Sequence, residues 1–374
     1  MVLSSQEISA LIRGESPSIK PIYSDMPIGK GQIQAASFDF RLGQKVFCLR
    51  TASLPRRTES IADLIEKYCR YDFDLKKDGS GNVLERGLCY IIPLAESVSL
   101  FQDLKGKVSP KSSIGRSDVF CRVLIDRFPY YDTLRTNYSG NVYLELASQS
   151  WSVRVKSGIS FTQGRLMHAD SSILSNRNLE QLHAAHGIIR DKNGMPLPNS
   201  ELAIEDGYVV FHVDLDRPIV GWRAKPAITS ELRLFEEETH DVEEFFEPIR
   251  RPKNGELILE PGAFYLLATK ERFVIPDTTC SQIDEYTVTA GELRVHYAGF
   301  FDPHFGKEEN GKHGVLEVRV RDLPYRIVDN HPLGRMFFQE MSQLPDILYG
   351  TNSHYLGPNP QLPKFFKDYR NVWE

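Results

Sequence analysis

Apolar residues along much of this chain alternate with polar ones, and helical spacing appears only in short stretches. Phe38, Phe40 and Leu42 alternate with Asp39 and Arg41, the period of a half-buried strand. Further short strands are expected around residues 89–92, 98–101, 142–146, 152–155 and 159–161, and in the second half around 208–213 and 257–259. Three stretches carry the helical spacing instead. Ser4-Ser5-Gln6-Glu7 reads as a capping box ahead of Ile8, Leu11 and Ile12, with Gly14 as the stop. Residues 60–68 place Ile61, Leu64, Ile65 and Tyr68 on one face, and residues 171–187 carry Leu179 and Leu182. Many short strands punctuated by Gly and Pro predict a mainly β protein built as a barrel or sandwich.

The halves of the chain resemble each other. Val83-Leu84-Glu85-Arg86-Gly87-Leu88-Cys89-Tyr90 matches Ile258-Leu259-Glu260-Pro261-Gly262-Ala263-Phe264-Tyr265, and Tyr143-Leu144-Glu145-Leu146 matches Val315-Leu316-Glu317-Val318. Asp302 is a candidate counterpart of Asp132, although the offset there differs by a few residues. A period of about 170 residues is too long for a solenoid and fits duplication of one β domain. The loop at 191–200, with Asn193-Gly194 and two prolines, marks the boundary: residues 1–190 form one domain and 200–374 the other.

Length and composition narrow the class. A chain of 374 residues suits roughly two domains, and 41% hydrophobic with 25% charged residues is ordinary for a soluble protein. A net charge of −5 disfavours a nucleic-acid-coating surface. No apolar run is long enough to span a membrane, and residues 1–7 lack the regions of a signal peptide. The five scattered cysteines read as reduced thiols, so a cytoplasmic location is expected. The acidic stretch 236–247 reads as a solvated face or loop.

Candidate chemistry concentrates in residues 111–145. Lys111-Ser112-Ser113-Ile114-Gly115-Arg116 is a basic, hydroxyl-rich turn, with the donors that hold phosphate or a polar ring. Glu145 is a lone carboxylate inside an apolar strand, sharing its face with Tyr143 and Ala147, and is a candidate proton-transfer group. Counting back from Val295-His296, the second half has Glu285-Tyr286-Thr287-Val288-Thr289-Ala290 in place of the turn. That exchange removes two positive charges and adds a negative one, which is hostile to phosphate. Glu317 shares its face with Arg319, the arrangement of a paired or solvated carboxylate. His183 and His186 lack a third ligand nearby and read as helix-surface residues.

In these residues the chain resembles the dCTP deaminases, a branch of the trimeric dUTPase superfamily, in a two-repeat bacterial form. Residues 3–21 resemble the family's opening helix and Ile-x-Pro segment. Phe38-Asp39-Phe40-Arg41-Leu42-Gly43 resembles its Val-Asp-x-Arg-Leu-Gly strand, the 111–116 turn its Arg-Ser-Ser-x-Ala-Arg signature, and Tyr143-Leu144-Glu145 its catalytic-glutamate strand. The resemblance implies two tandem dUTPase-like distorted β-barrels, the first with the site motif intact and the second with it degenerate. It implies hydrolytic deamination of dCTP to dUTP and ammonia, supplying dUTP for thymidylate synthesis, without zinc. The chain agrees in lacking H-x-E with P-C-x-x-C. By the same resemblance Glu145 is the general base, and Ser112 and Arg116 orient water and the reacting centre. Lys111, Ser113, Arg127 and Asp132 are substrate-binding candidates, with Mg²⁺ carried on the triphosphate. The family reads Arg-x-Asp-Pro where this chain has Arg127-Phe128-Pro129-Tyr130-Tyr131-Asp132, an apparent insertion, and a surface ion pair is the other reading of Arg127 and Asp132. Tyr349, Tyr355 and Gln361 resemble a tail that closes over the phosphates. A homo-oligomer with sites near subunit interfaces is expected, with no nucleic-acid or membrane partner. A dUTPase or bifunctional enzyme giving dUMP and pyrophosphate, and a non-catalytic nucleotide-binding regulator, are the competing readings.

Overall fold

The computed structural model describes residues 1–14, 16–226, 228–284, 293–295, 299–308, 310–351 and 354–373. The chain is mainly β and divides into two compact units, the first made of residues 1–171, 229–236 and 345–347, the second of 172–228, 237–344 and 348–374. The boundary therefore lies at 171/172, upstream of the expected 190. The helix Asn176–His186 and the strand Ile189–Arg190 belong to the second unit, where the strand pairs with Phe264–Phe273.

In the first unit one sheet runs in the order Cys69–Asp74, Lys45–Leu49, Cys89–Ser99, Ser139–Ser148, Val119–Ile125, with Ile19–Pro21 also on Cys89–Ser99. A second sheet runs Phe38–Arg41, Ser160–His168, Leu104–Pro110, Thr133–Leu134, and the bridge between Leu42 and Leu94 ties the two together. The expected strands near 89–92 and 98–101 are thus one eleven-residue strand, Cys89–Ser99. Its face alternation is masked because the neighbouring residues Ile91 and Ile92 are both fully buried.

The second unit repeats this plan. Its first sheet runs Phe246–Arg250, Ile219–Ala224, Phe264–Phe273, Lys312–Val320, Leu293–Val295, with Ile189–Arg190 on Phe264–Phe273. Its second sheet runs Ile204–Glu205, Tyr208–His212, Pro332–Glu340, Thr279–Asp284, Phe300–Phe301, and the bridge Val213–Thr269 replaces Leu42–Leu94. The duplication extends to single hydrogen bonds. The Glu85 N–H donates to the Tyr90 hydroxyl at 2.9 Å, and the Glu260 N–H to the Tyr265 hydroxyl at 2.8 Å. Gly87 and Gly262 have φ of +75° and +73°, and each donates its N–H to the neighbouring strand, at Ser148 and Val320. Glu96 accepts the Arg41 N–H and the Arg41 guanidinium. In the second copy Glu271 accepts the His212 N–H and pairs with the His212 ring.

This register corrects one expected correspondence. Val108 N–H donates to Asp132 O in the first copy, and Ile283 N–H to Gly299 O in the second. Gly299, not Asp302, therefore occupies the place of Asp132. The residues matched to the Ser-Ser turn, 285–290, lie outside the described residues. In the acidic stretch Glu237, Glu238, Asp241, Glu243 and Glu244 are exposed, as a solvated face requires, while a short helix, Val242–Phe245, leads into Phe246–Arg250 and buries Phe245 and Phe246.

Candidate active site

Glu145 sits at the centre of the first sheet, opposite Ile91 on one neighbouring strand and Arg122 on the other. Alternation sends it to the face covered by the helix Ile61–Tyr68, where Leu49, Ile61, Leu64, Ile91 and Leu124 form a small apolar cluster with Tyr131 and Tyr143 packed against it. The residue is 2% exposed. Its carboxylate accepts the Tyr131 hydroxyl (3.0 Å) and the Ser53 backbone N–H (3.3 Å). Burial raises its pKa above the ordinary glutamate value, while Tyr131, Ser53 and the charge of Arg122 pull it back down. A carboxylate raised in this way is a better proton acceptor at neutral pH than an exposed one.

Asp132 and Arg122 form the next layer. Arg122 Nε lies 2.8 Å from Asp132 Oδ2, and its guanidinium stands 4.8 Å over the Tyr131 ring. Asp132 also accepts the Val123 N–H at 2.7 Å, and burial pushes its pKa up to about 6 against the pull of Arg122. The ion partner of Asp132 is thus Arg122 and not Arg127. Arg127 is exposed with φ of +57°, and its charge acts on Asp63. Sequence reasoning missed Arg122, Tyr131 and Ser53. The one signal for Arg122 was a charged residue inside the apolar run Val119–Ile125. Its meeting with Glu145 depends on strand register, which no local pattern shows.

The basic turn folds as a single helical turn, Ser112–Gly115, leading into Val119–Ile125. Lys111 is engaged, since its ammonium pairs with the buried Asp39 of the strand Phe38–Arg41. Ser113 is buried, with its carbonyl accepting the Ser117 hydroxyl at 2.7 Å, whereas Ser112 and Arg116 are half-buried. Val119 pairs with Ser148 and Arg122 with Glu145, so the turn ends at least three residues along the strand from the carboxylate. At about 3.3 Å per residue that is roughly 10 Å. Within one chain Glu145, Tyr131, Arg122 and Asp132 come together, and the turn stands apart from them.

The tail candidates all belong to the second unit. Tyr349 packs its ring 5.0 Å from Phe305 and donates its hydroxyl to Tyr355 O. Tyr355 meets Tyr369 edge-on at 5.9 Å, and the buried Gln361 donates to Leu356 O. His183 is not on the surface: it is 3% exposed, bonded to Leu197 O at 2.7 Å and accepting the Ile189 N–H, which makes it a structural link of the second unit. Among the described residues no group of three or more His, Cys, Asp or Glu side chains is placed to hold a metal ion. No helix among them is long and apolar enough to cross a membrane.

Comparison with known proteins follows the same division. Residues 1–170 match the family described as the 2'-deoxycytidine 5'-triphosphate deaminase (DCD) N-terminal domain, and residues 175–366 match its C-terminal domain. A crystal structure of 2'-deoxycytidine 5'-triphosphate deaminase from Agrobacterium tumefaciens superposes with a TM-score of 0.81 at 30% identity, covering 92% of this chain and 99% of that one. Among curated proteins, "dCTP deaminase, dUMP-forming" of Mycolicibacterium gilvum is 31% identical over 127 residues, 32% of this chain. The protein of the same description from Halobacterium salinarum is 27% identical over 148 residues, 40% of this chain and 70% of its own length. The chain spans 63% of the length of the Mycolicibacterium relative, just under two thirds.

Proposed function

The chain belongs to the 2'-deoxycytidine 5'-triphosphate deaminase family, and on that premise we propose that its first repeat deaminates dCTP hydrolytically to dUTP and ammonia, with Glu145 as the proton shuttle. The observation that carries this reading is a carboxylate 2% exposed, raised by burial and held by Tyr131 and Ser53 on the face of an apolar sheet. Glu145 takes a proton from water as the oxygen adds to C4 of the cytosine ring. The carboxylate passes that proton to N3, then moves the proton of the new C4 hydroxyl to the departing amine as the C4 carbonyl forms, so one water is consumed and one ammonia leaves. Tyr131 fixes the carboxylate's rotamer, and the Arg122–Asp132 pair fixes Tyr131 from behind.

Ser112 and Arg116 supply hydrogen bonds to the developing tetrahedral centre, and Lys111 and Ser113 those to the phosphates. Mg²⁺ enters as part of the substrate, on the triphosphate oxygens, and the chemistry at C4 is metal-free in this reading. The distance of about 10 Å between turn and carboxylate along one strand supports a site completed by the turn of a second copy, hence a homo-oligomer. Five free cysteines support a cytoplasmic location.

The Mycolicibacterium and Halobacterium relatives, described as dUMP-forming, favour a second reading, in which the product goes on to dUMP and pyrophosphate. One assay separates the two. Ammonia and phosphorus-containing products are followed with dCTP, CTP, dCMP and dUTP as substrates. Ammonia with dUTP from dCTP supports the first reading. Ammonia with dUMP and pyrophosphate supports the second. Bound dCTP that never releases ammonia defeats both.

A further inference from the structure

The second repeat carries a cluster of cations with no counterpart in the first. In its first sheet Arg190 lies directly opposite Arg272, and Arg272 directly opposite His313. The same positions of the first repeat, by register, are Lys20, Ser97 and Asn141, which also face each other at an irregularity in the strand pair. A further arginine, Arg217, enters just before the strand Ile219–Ala224, in a segment longer than its first-repeat equivalent. Asp214 and Gly43 are the matching positions before it, since their N–H groups donate to Ala268 O and Pro93 O.

These side chains converge. Arg272 Nε donates to His313 Nε2 at 3.2 Å, and Arg217 Nη2 lies 3.4 Å from the same nitrogen. Nδ1 of His313 meets the Thr269 carbonyl at 2.8 Å, so it carries the ring proton and Nε2 is the acceptor. His313 is 4% exposed and held neutral between the two arginines. Arg190 donates to the carbonyls of Gly187 and Gly194. A Cβ on Gly311 would stand 2.8 Å from Arg272 Cβ and 3.1 Å from Arg190 Cδ, so both stems pass over that glycine.

Negative charge does not match this cluster among the described residues. Asp214 pairs with Arg217 at 2.9 Å. Asp191 spends its Oδ1 on the N–H groups of Asn193 and Met195 and reaches Arg272 only through longer-range charge. Asp216 pairs with Lys192 and Arg251. Among the described residues Arg272 has no carboxylate within ion-pair distance, and Arg190 bonds to carbonyls alone. Two arginines placed opposite each other repel unless an anion lies between them. Planar guanidinium donors around a neutral imidazole match the oxygens of a tetrahedral phosphate.

We propose that Arg190, Arg217 and Arg272 around His313 form an anion site in the second repeat that binds a phosphate group. The site is independent of the deamination reading, because none of these residues belongs to the first-repeat machinery. The phosphate belongs either to a free anion or to the tail of a nucleotide, and the two sources are separable.

The test follows thermal melting and calorimetric titration of the full chain at constant ionic strength, with inorganic phosphate, pyrophosphate and dCTP as probes against chloride. Lys111→Gln is included to remove phosphate binding at the first-repeat turn. Phosphate or pyrophosphate is expected to raise the melting temperature of wild type and of Lys111→Gln by a few degrees, and Arg272→Gln is expected to abolish that rise while leaving kcat on dCTP within about twofold. If only dCTP produces the rise in Lys111→Gln, and Arg272→Gln in that background removes it, the ligand is a nucleotide tail. Arg217→Gln repeats the comparison should Arg272→Gln fail to fold. An equal response of wild type and both arginine variants to every probe overturns the site.

Discussion

The two repeats share a sheet plan and single hydrogen bonds, yet they differ at the two places where charge meets chemistry. In the first, a half-buried arginine stands opposite a buried glutamate and carries an aspartate behind it. In the second, Glu317 is as buried, at 2% exposure, but the position of Asp132 is Gly299. The lesson is that burial of the glutamate alone does not separate the two copies. Asp132, with its partner Arg122, separates them in structure, and the Lys111–Arg116 turn separates them in sequence. The second copy has gained charge elsewhere, in arginines opposite each other on its own sheet.

The largest effect that sharpens this contrast is at the turn. Arg116→Ala, which installs the residue type the second copy has at Ala290, is expected to lower kcat by about 10²- to 10³-fold. Steady-state ammonia release measures it, and a change under threefold would remove the turn from the mechanism.

Next comes stability. His313 has its pKa lowered to about 4 from 6.5, by burial first and then by Arg217 and Arg272. Its folded state binds the proton less well than the unfolded state, so its contribution is present above about pH 6.5 and lost as pH falls toward 4. The difference is on the order of 3 kcal/mol. His313→Asn, which copies Asn141, is expected to flatten that part of the urea-unfolding profile between pH 7 and 4. Identical profiles for the two chains would contradict the assignment.

Those two effects fall on residues of very different legibility. The helix caps, the helix at 60–68, the strand alternation at 38–42 and the repeat were visible because each is a local pattern. The likeness of the Gly87 and Gly262 segments was visible because the same residues recur in order, whereas their left-handed backbone was not. Arg122 beside Glu145, Tyr131 above it and the Lys111–Asp39 pair were not, because each depends on register between strands distant in sequence. His183 was misread for a related reason. It stands four residues after Leu179, on the face the helix buries, but its partners Leu197 O and the Ile189 N–H lie on later segments that no local pattern connects to it.

A smaller effect separates Tyr131 from a packing role. Tyr131→Phe removes a donor that lowers the Glu145 pKa. The acid limb of kcat/KM should therefore move to higher pH, with kcat reduced roughly tenfold. An unmoved limb would make Tyr131 a packing residue only. The smallest prediction tests the duplication itself. Gly87 and Gly262 hold nearly equal positive φ, and a Cβ at either would meet nothing within 4 Å. Alanine at either position should cost about 1 kcal/mol through backbone strain alone, equal in the two repeats by urea unfolding. Clearly unequal costs would break the equivalence.

The central claim is that the first repeat's glutamate does the chemistry and the second's does not. The most direct measurement is ammonia release from dCTP by wild type, Glu145→Gln and Glu317→Gln, with dCTP binding followed in parallel. Glu145→Gln should bind dCTP and lose about 10²- to 10⁴-fold in kcat, whereas Glu317→Gln should stay within about twofold of wild type. Turnover surviving in Glu145→Gln, or lost in a folded Glu317→Gln, would contradict it.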